Sequence, residues 1–148
     1  MGPRSSSESA LKGKTILVVE DEPLVRELEA QILGSRGVQV LQSGCVAEAV
    51  KVAVATAPIH LLLTDFSLPD RNGLDLAYRF RELHPQAAIL LVSGSVAELG
   101  GRADGLDRFA MMQKPFGPGE LLRMVQALLA GTPPPAQPGY PAPLSIRR

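Results

Sequence analysis

Three carboxylates, one hydroxyl and one ammonium group follow short apolar segments of this chain. Glu20 and Asp21 come after the first segment, Asp65 after the third, Ser93 after the fourth and Lys114 after the fifth. Clustered carboxylates raise one another's pKa unless a cation joins them, and oxygen ligands without His or Cys suit a hard ion such as Mg²⁺. A lone lysine opposite them would hold phosphate oxygens. Together these groups favour phosphoryl transfer to a carboxylate nucleophile.

The elements that must position these groups alternate along the chain. Buried strands are predicted at 15–19, 38–42, 59–64, 88–92 and 108–112, where short apolar runs occur. Helices are predicted from Pro23 to Gly37 and at Val46–Ala57, Leu74–His84, Ala97–Arg102 and Gly119–Ala130. The first helix is predicted from an apolar stripe of Leu24, Val25, Leu28 and Ile32. Five strands alternating with five helices predict an α/β fold, in which a parallel sheet is covered on both faces and the site lies at the carboxyl ends of the strands.

Length and composition exclude several classes of protein. A chain of 148 residues with 45% apolar content suits one domain with a real core and excludes wholesale disorder. Fifteen basic and fifteen acidic residues balance, and there is no Trp, so direct binding to nucleic acid is not expected. The single cysteine, Cys45, cannot form an internal disulfide. No segment reaches the roughly 18 apolar residues of a membrane span, so we expect a cytoplasmic protein.

The composition divides the chain into three parts. Residues 1–13 are mostly small and polar and are expected to form a flexible lead, whereas 14–130 should form the folded domain. Residues 131–148 contain 6 of the 13 prolines, which predicts a disordered, extended tail. No helix-turn-helix pattern follows the domain, so we do not expect this chain to bind DNA directly.

Four segments carry a resemblance to a known family. ILVVEDEP, LLLTDFSLPDRNGLDL, LLVSGS and QKPF occur in this order and resemble the landmark segments of response-regulator receiver domains of bacterial two-component signalling. The resemblance covers about residues 15–130 and implies a flavodoxin-like sheet of order 2-1-3-4-5. LLVSGS and QKPF also resemble the receivers of hybrid sensor histidine kinases. A stand-alone regulator and a receiver from a longer protein therefore both remain open.

The resemblance implies a phosphoacceptor and a metal site. Asp65 would take a phosphoryl group from a phosphohistidine on a sensor histidine kinase or a phosphotransfer protein. Glu20, Asp21, Asp65 and the backbone carbonyl of Ser67 would hold Mg²⁺ or Mn²⁺. The domain would assist its own phosphorylation and dephosphorylation without being an enzyme in the ordinary sense.

The same resemblance implies how the phosphoryl group is read. Ser93 and Lys114 would each bind one of its oxygens, and the resulting change of conformation would reach a protein target that the sequence does not name. The output face of such domains sometimes forms a homodimer. Three further residues would shape the loops beside the acceptor: Pro69, Gly73 and Pro115, the last after a peptide bond that is often cis in this family.

Two features depart from the family pattern. Many receivers carry Tyr or Phe three residues before the lysine as a switch side chain, where this chain has Met111. Glycines at 94, 100, 101 and 105 predict a short or mobile fourth helix. Met111 supports an alternative, a phosphorylation-independent protein-interaction module of the same fold. A flavin-binding protein of this topology is disfavoured because the chain lacks phosphate-cradling loops and aromatic platforms.

Overall fold

The computed structural model describes residues 10–94 and 109–133. Its strands are β1 (Thr15–Val19), β2 (Gln39–Ser43), β3 (Leu61–Asp65), β4 (Ala88–Ser93) and β5 (Ala110–Gln113). The helices in these ranges are α1 (Pro23–Gly34), α2 (Val46–Ala55), α3 (Gly73–Leu83) and α4 (Pro118–Ala130). The five predicted strands are confirmed within two residues at each end. The predicted helix Ala97–Arg102 lies outside the described residues, as do its glycines 100 and 101.

All neighbouring strands pair in parallel, in the order β2-β1-β3-β4-β5. This order confirms the predicted α/β, flavodoxin-like sheet. The chain moves outward from β1 to β2 and then crosses back to β3, so the strand order reverses between β1 and β3. In parallel sheets a crevice forms at that reversal, beyond the carboxyl ends of the strands. The strand order therefore points to the ends of β1 and β3 as the place for a binding site.

Alternating side chains of the strands enter two separate cores. The first core packs α2 and α3 against one face of the sheet and includes Leu62, Phe80 and Met111. The second core packs α1 and α4 against the other face and includes Leu63 and Leu121. Helices cover both faces, which is why every residue of β1 and β3 is buried. Continuous apolar runs therefore identified these strands correctly.

Helix α1 turns a different face inward from the one that its apolar stripe indicates. Leu24, Val25 and Leu28 are 84%, 36% and 55% exposed, while the buried residues of the helix are Glu29 and Leu33. The rotation places Arg26 on the inner side as well, where its Nη1 donates a hydrogen bond of 2.7 Å to the carbonyl of Glu20. Of the apolar stripe, Ile32 packs against the second core, whereas the other three residues are exposed. The stripe therefore predicted the helix but not its orientation.

The packed body extends further toward the N-terminus than residue 14. Leu11 is fully buried in the second core, although the sequence places it in the flexible lead. The N–H of Gly13 donates to the carbonyl of Gly37 at 2.9 Å, and both glycines have positive φ, 80° and 86°. This pair joins residues 10–13 to the turn before β2. At the other end, Gly131 caps α4 in the left-handed conformation.

None of the four described helices combines the length and the apolar character that crossing a bilayer demands.

Candidate functional site

Glu20, Asp65 and Lys114 meet at the carboxyl edge of the sheet. The Nζ atom of Lys114 lies 2.9 Å from Oε1 of Glu20 and 2.9 Å from Oδ1 of Asp65. Side chains alternate between the two faces of a strand, so all three residues share the face of the second core. Each stands two residues beyond a member of that core, namely Val18, Leu63 and Met112. The alternation of side chains along each strand therefore brings these three side chains to one face of the sheet.

Asp21 completes a group of three carboxylates. Glu20, Asp21 and Asp65 each offer one oxygen, and these oxygens lie within 4.8 Å of one another. Glu20 and Asp65 are buried, whereas Asp21 is exposed at the mouth of the site. Hard divalent cations prefer oxygen ligands of this kind. The residues present therefore fit a magnesium or manganese ion.

Burial and mutual repulsion control the ionisation of the site. Burial, followed by the hydrogen bond with Glu20, raises the pKa of Asp65 to about 8. Burial also opposes ionisation of Glu20, but hydrogen bonds with Asp65, Lys114 and the Glu22 N–H outweigh it, so the pKa of Glu20 is lowered. Burial likewise disfavours the charged form of Lys114, yet its two carboxylate partners raise its pKa well above the usual value. The ammonium therefore offsets part of the repulsion between the two carboxyls, whose pKa values are shifted in opposite directions, that of Asp65 upward and that of Glu20 downward.

The main chain around Glu20 is held from several directions. Its N–H donates to the carbonyl of Ser43 at 3.1 Å, which ties the end of β1 to the end of β2. Its Oε2 accepts the N–H of Glu22 at 3.1 Å. Arg26 binds its carbonyl, as described above. These contacts fix the first acid of the site before any ligand arrives.

The loop after Asp65 closes back on the strand that it leaves. The N–H of Gly73 donates to the carbonyl of Phe66, and Ser67 forms an isolated antiparallel bridge with Asn72. A Cβ atom on Gly73 would collide with the carbonyl oxygen of Asp65, so this position requires glycine. Pro69 stands exposed within the loop. Gly73 therefore lies beside the start of this loop, and Ser67 lies where the loop begins.

Ser93 and Met111 occupy different depths of the fold. Ser93 ends β4, is buried, and its carbonyl accepts the N–H of Lys114 at 2.8 Å. Met111 pairs in register with Leu91 and is buried in the first core. Ser93 therefore lies at the edge of the sheet that carries the site, whereas Met111 lies further inside. The Lys114–Pro115 peptide bond is cis, as the resemblance implies.

Sequence reasoning missed Asp70, a residue in the loop after Asp65. Its Oδ1 and Oδ2 accept the N–H groups of Val46 and Ala47, each at 2.9 Å. These are the first two residues of α2, whose N-cap residue, Cys45, makes no side-chain cap. A helix that begins without Ser, Thr, Asp or Asn needs partners for its first N–H groups from elsewhere. The absence of a capping residue before Val46 was the signal in the sequence that another segment supplies the cap.

Glu29 was missed as well, because sequence patterns place acids of an amphipathic helix in solvent. It is 3% exposed on the inner side of α1. Burial first, and then the negative charge of Glu20, raise the pKa of its carboxyl to about 7. The pKa of Glu29 therefore depends on the charge of Glu20, although Glu29 is not one of the clustered carboxylates.

Comparisons with known proteins agree with this geometry. Residues 16–126 match the family model of the response regulator receiver domain. The phosphate regulon transcriptional regulatory protein PhoB of Pseudomonas aeruginosa is 35% identical over 127 residues, which is 82% of this chain and 54% of that protein. The autoinducer 1 sensor kinase/phosphatase LuxN of Vibrio campbellii is 37% identical over 84 residues, 57% of this chain and 10% of that protein.

A solved structure is similar over most of the fold. It is a response regulator protein from Burkholderia pseudomallei with a phosphorylated aspartic acid, a calcium ion and citrate. The TM-score is 0.64 at 28% identity, covering 78% of this chain and 66% of that one. The chain belongs to the response regulator receiver domain family of bacterial two-component signalling. It spans about half the length or less of the curated relatives cited here.

Proposed function

We propose that Asp65 is the phosphorylated residue of this receiver domain. The observation that supports this most directly is the position of its carboxylate: buried at the end of β3, 2.9 Å from the Lys114 ammonium and clustered with two further acids. The phosphoryl donor is a phosphohistidine on a sensor histidine kinase or a phosphotransfer protein. Receivers are substrates of such kinases, which accounts for the similarity both to a regulator and to a sensor kinase.

In the transfer, a carboxylate oxygen of Asp65 attacks phosphorus as the bond between phosphorus and the donor's imidazole nitrogen breaks. The imidazole keeps the electron pair of that bond, and an aspartyl phosphate results. Lys114 gives up part of its contact with Asp65 and pairs with one phosphoryl oxygen, while the Ser93 hydroxyl donates to another. Both groups act by positioning and charge neutralisation, which dominate phosphoryl transfer.

The residues that hold a divalent ion also decide whether Asp65 is reactive. Attack requires the carboxylate, but burial and Glu20 raise the pKa of Asp65 to about 8. Glu20, Asp21, Asp65 and the carbonyl of Ser67 would hold Mg²⁺ or Mn²⁺. When bound, the ion supplies positive charge that favours ionised carboxylates and offsets the charge of the phosphoryl oxygens. Asp21, being exposed, forms the entrance of this site.

The alternative of a phosphorylation-independent interaction module depended on Met111. That residue is packed in the first core, opposite Leu91, and the group of acids and lysine is complete without it. The same acids and lysine also assist hydrolysis of the aspartyl phosphate, so the domain controls the lifetime of its own signal. The signal then passes to a protein target.

A test of this proposal incubates the protein with a small phosphodonor such as acetyl phosphate and Mg²⁺, and measures the intact mass. We expect one phosphoryl group per chain, lost in Asp65→Asn and after removal of Mg²⁺ with EDTA. Asp75→Asn is the matched control, because Asp75 is an exposed acid near the same loop. An adduct that survives Asp65→Asn, or no adduct on the wild-type protein, would sink the proposal.

A further inference from the structure

The tip of the loop after Asp65 is fastened to the start of α2, more than twenty residues earlier in the chain. Asp70 is exposed, yet its two carboxylate oxygens bind the N–H groups of Val46 and Ala47 at 2.9 Å each. Oδ1 also accepts the N–H of Arg71 at 3.1 Å. The hydrogen bonds from Val46, Ala47 and the loop lower the pKa of this carboxyl. Asp70 is therefore a charged cap supplied to α2 from outside the helix.

The other end of the loop is fastened to the site. The Phe66–Gly73 hydrogen bond closes its base, the Ser67–Asn72 bridge lies next to it, and Gly73 packs against the carbonyl of Asp65. The loop thus has a base fixed at the acceptor and a tip fixed at α2. Ser67 lies between these two points and is exposed, so its orientation depends on both.

From these contacts we propose that Asp70 is a positioning residue for the divalent-ion site. By holding the loop tip on α2, it fixes the direction of the Ser67 backbone carbonyl toward Glu20, Asp21 and Asp65. This inference rests on the proposed function, because it assumes that these residues hold an ion. It assigns to α2 a part in the ion site, although α2 contributes no ligand.

The chain offers controls that separate this role from charge and from helix capping. Asp75 is an exposed acid at the start of α3, paired only weakly with Arg71 at 3.9 Å, so Asp75→Ala removes the same charge without releasing the loop. Glu48 accepts the N–H of Gly44 at 3.0 Å beside the start of α2. Glu48→Ala therefore loosens the same helix end without touching the loop. Asp70→Asn keeps one oxygen that can accept a hydrogen bond.

The experiment measures Mn²⁺ binding directly, from the free-ion signal in electron paramagnetic resonance, at a temperature where every variant is folded by circular dichroism. Supporting groups around a metal ligand typically contribute about tenfold to affinity. We expect Asp70→Ala to weaken binding about tenfold and Asp70→Asn to lie between it and wild type. Asp75→Ala and Glu48→Ala should stay within about twofold of wild type, because exposed charges are screened.

Other results would overturn the positioning role of Asp70 or the ion site itself. Equal affinity in wild type and Asp70→Ala overturns the positioning role while the ion site stands. Equal losses in Asp70→Ala, Asp70→Asn and Asp75→Ala show a charge effect and also overturn it, and a loss in Glu48→Ala as large as in Asp70→Ala reduces the role to capping. If wild type binds no Mn²⁺, or binds it equally after Asp65→Ala, the ion site of the proposed function fails and this inference fails with it.

Discussion

Lys114 and Glu20 are joined by a salt bridge of 2.9 Å although they follow strands that are not neighbours in the sheet. β3 and β4 lie between β1 and β5. Oδ1 of Asp65, at the end of β3, lies 2.9 Å from the same Nζ atom of Lys114. The lysine therefore reaches across the carboxyl edge of the sheet and contacts two buried acidic side chains at once.

Removing this lysine should make the fold sensitive to divalent ions. Lys114→Met leaves Glu20 and Asp65 buried without their cation, which we expect to lower the free energy of unfolding by about 2 kcal/mol, less than for a fully buried pair because the lysine is partly exposed. Added Mg²⁺ should restore part of this loss. Urea unfolding at pH 8, with and without Mg²⁺, measures both effects. Lys51→Met, at an exposed lysine, is the control, and an equal loss there would contradict the assignment.

We expect that Gly73 cannot be replaced by a residue with a side chain without loss of stability. Gly73→Ala places a Cβ against the carbonyl oxygen of Asp65, so the loop must move, and we expect about 2 kcal/mol of destabilisation together with a slower rate of phosphorylation. Gly34→Ala, at the end of α1, meets nothing within 4 Å. It should leave stability unchanged or raise it by up to about 1 kcal/mol. Thermal unfolding of both variants decides, and similar losses would show that the contact at Gly73 is unimportant.

The buried strands and the residues that follow them could be predicted from the sequence. β1 and β3 are buried on both faces, so their apolar runs stood out, and the end of each run marked the edge where the acids and Lys114 meet. The position of Glu20, Asp65 and Lys114 on one face also follows from alternation along strands.

The rest depends on contacts between distant segments. The orientation of α1 could not be predicted, because Leu28 is exposed and Glu29 buried, the reverse of their usual preferences. The contact of Asp70 with α2 joins residues 24 positions apart, and no local pattern reports such a pair. Met111 stands where many receivers carry an aromatic switch residue, but its position in the first core follows from register with Leu91, which the sequence does not reveal. Its role in switching stays a prediction.

Met111 should behave first as a core residue. Met111→Ala should lower the free energy of unfolding by about 3 kcal/mol, because removing this buried side chain leaves a cavity in the core that includes Phe109 and Leu91. Met111→Leu conserves volume and should cost under about 1.5 kcal/mol. Phosphorylation of Asp65 by acetyl phosphate should continue in both variants while they are folded, as measured by intact mass. Loss of the adduct in folded Met111→Leu would mean that Met111 takes part in the acceptor chemistry.

Glu29 should make the stability of the domain fall as pH rises. Burial and the charge of Glu20 raise its pKa from 4.5 to about 7 in the folded protein. Between these values the folded state holds a proton that the unfolded state has lost, so this contribution to stability is full below about pH 4.5, is lost as pH rises through about 7, and then levels off. The difference corresponds to about 3 kcal/mol above pH 7. Glu29→Gln keeps the shape of the neutral side chain and removes this cost.

We therefore expect Glu29→Gln to be more stable than wild type by up to about 3 kcal/mol at pH 8, with the difference shrinking toward zero near pH 4. Titrating groups that do not interact with Glu29 are common to both proteins and cancel in the comparison. Glu27→Gln changes an exposed acid of the same helix and should shift stability equally little at both pH values. Urea unfolding across this range provides the measurement. A constant difference between Glu29→Gln and wild type would show that folding leaves the pKa of Glu29 near its ordinary value.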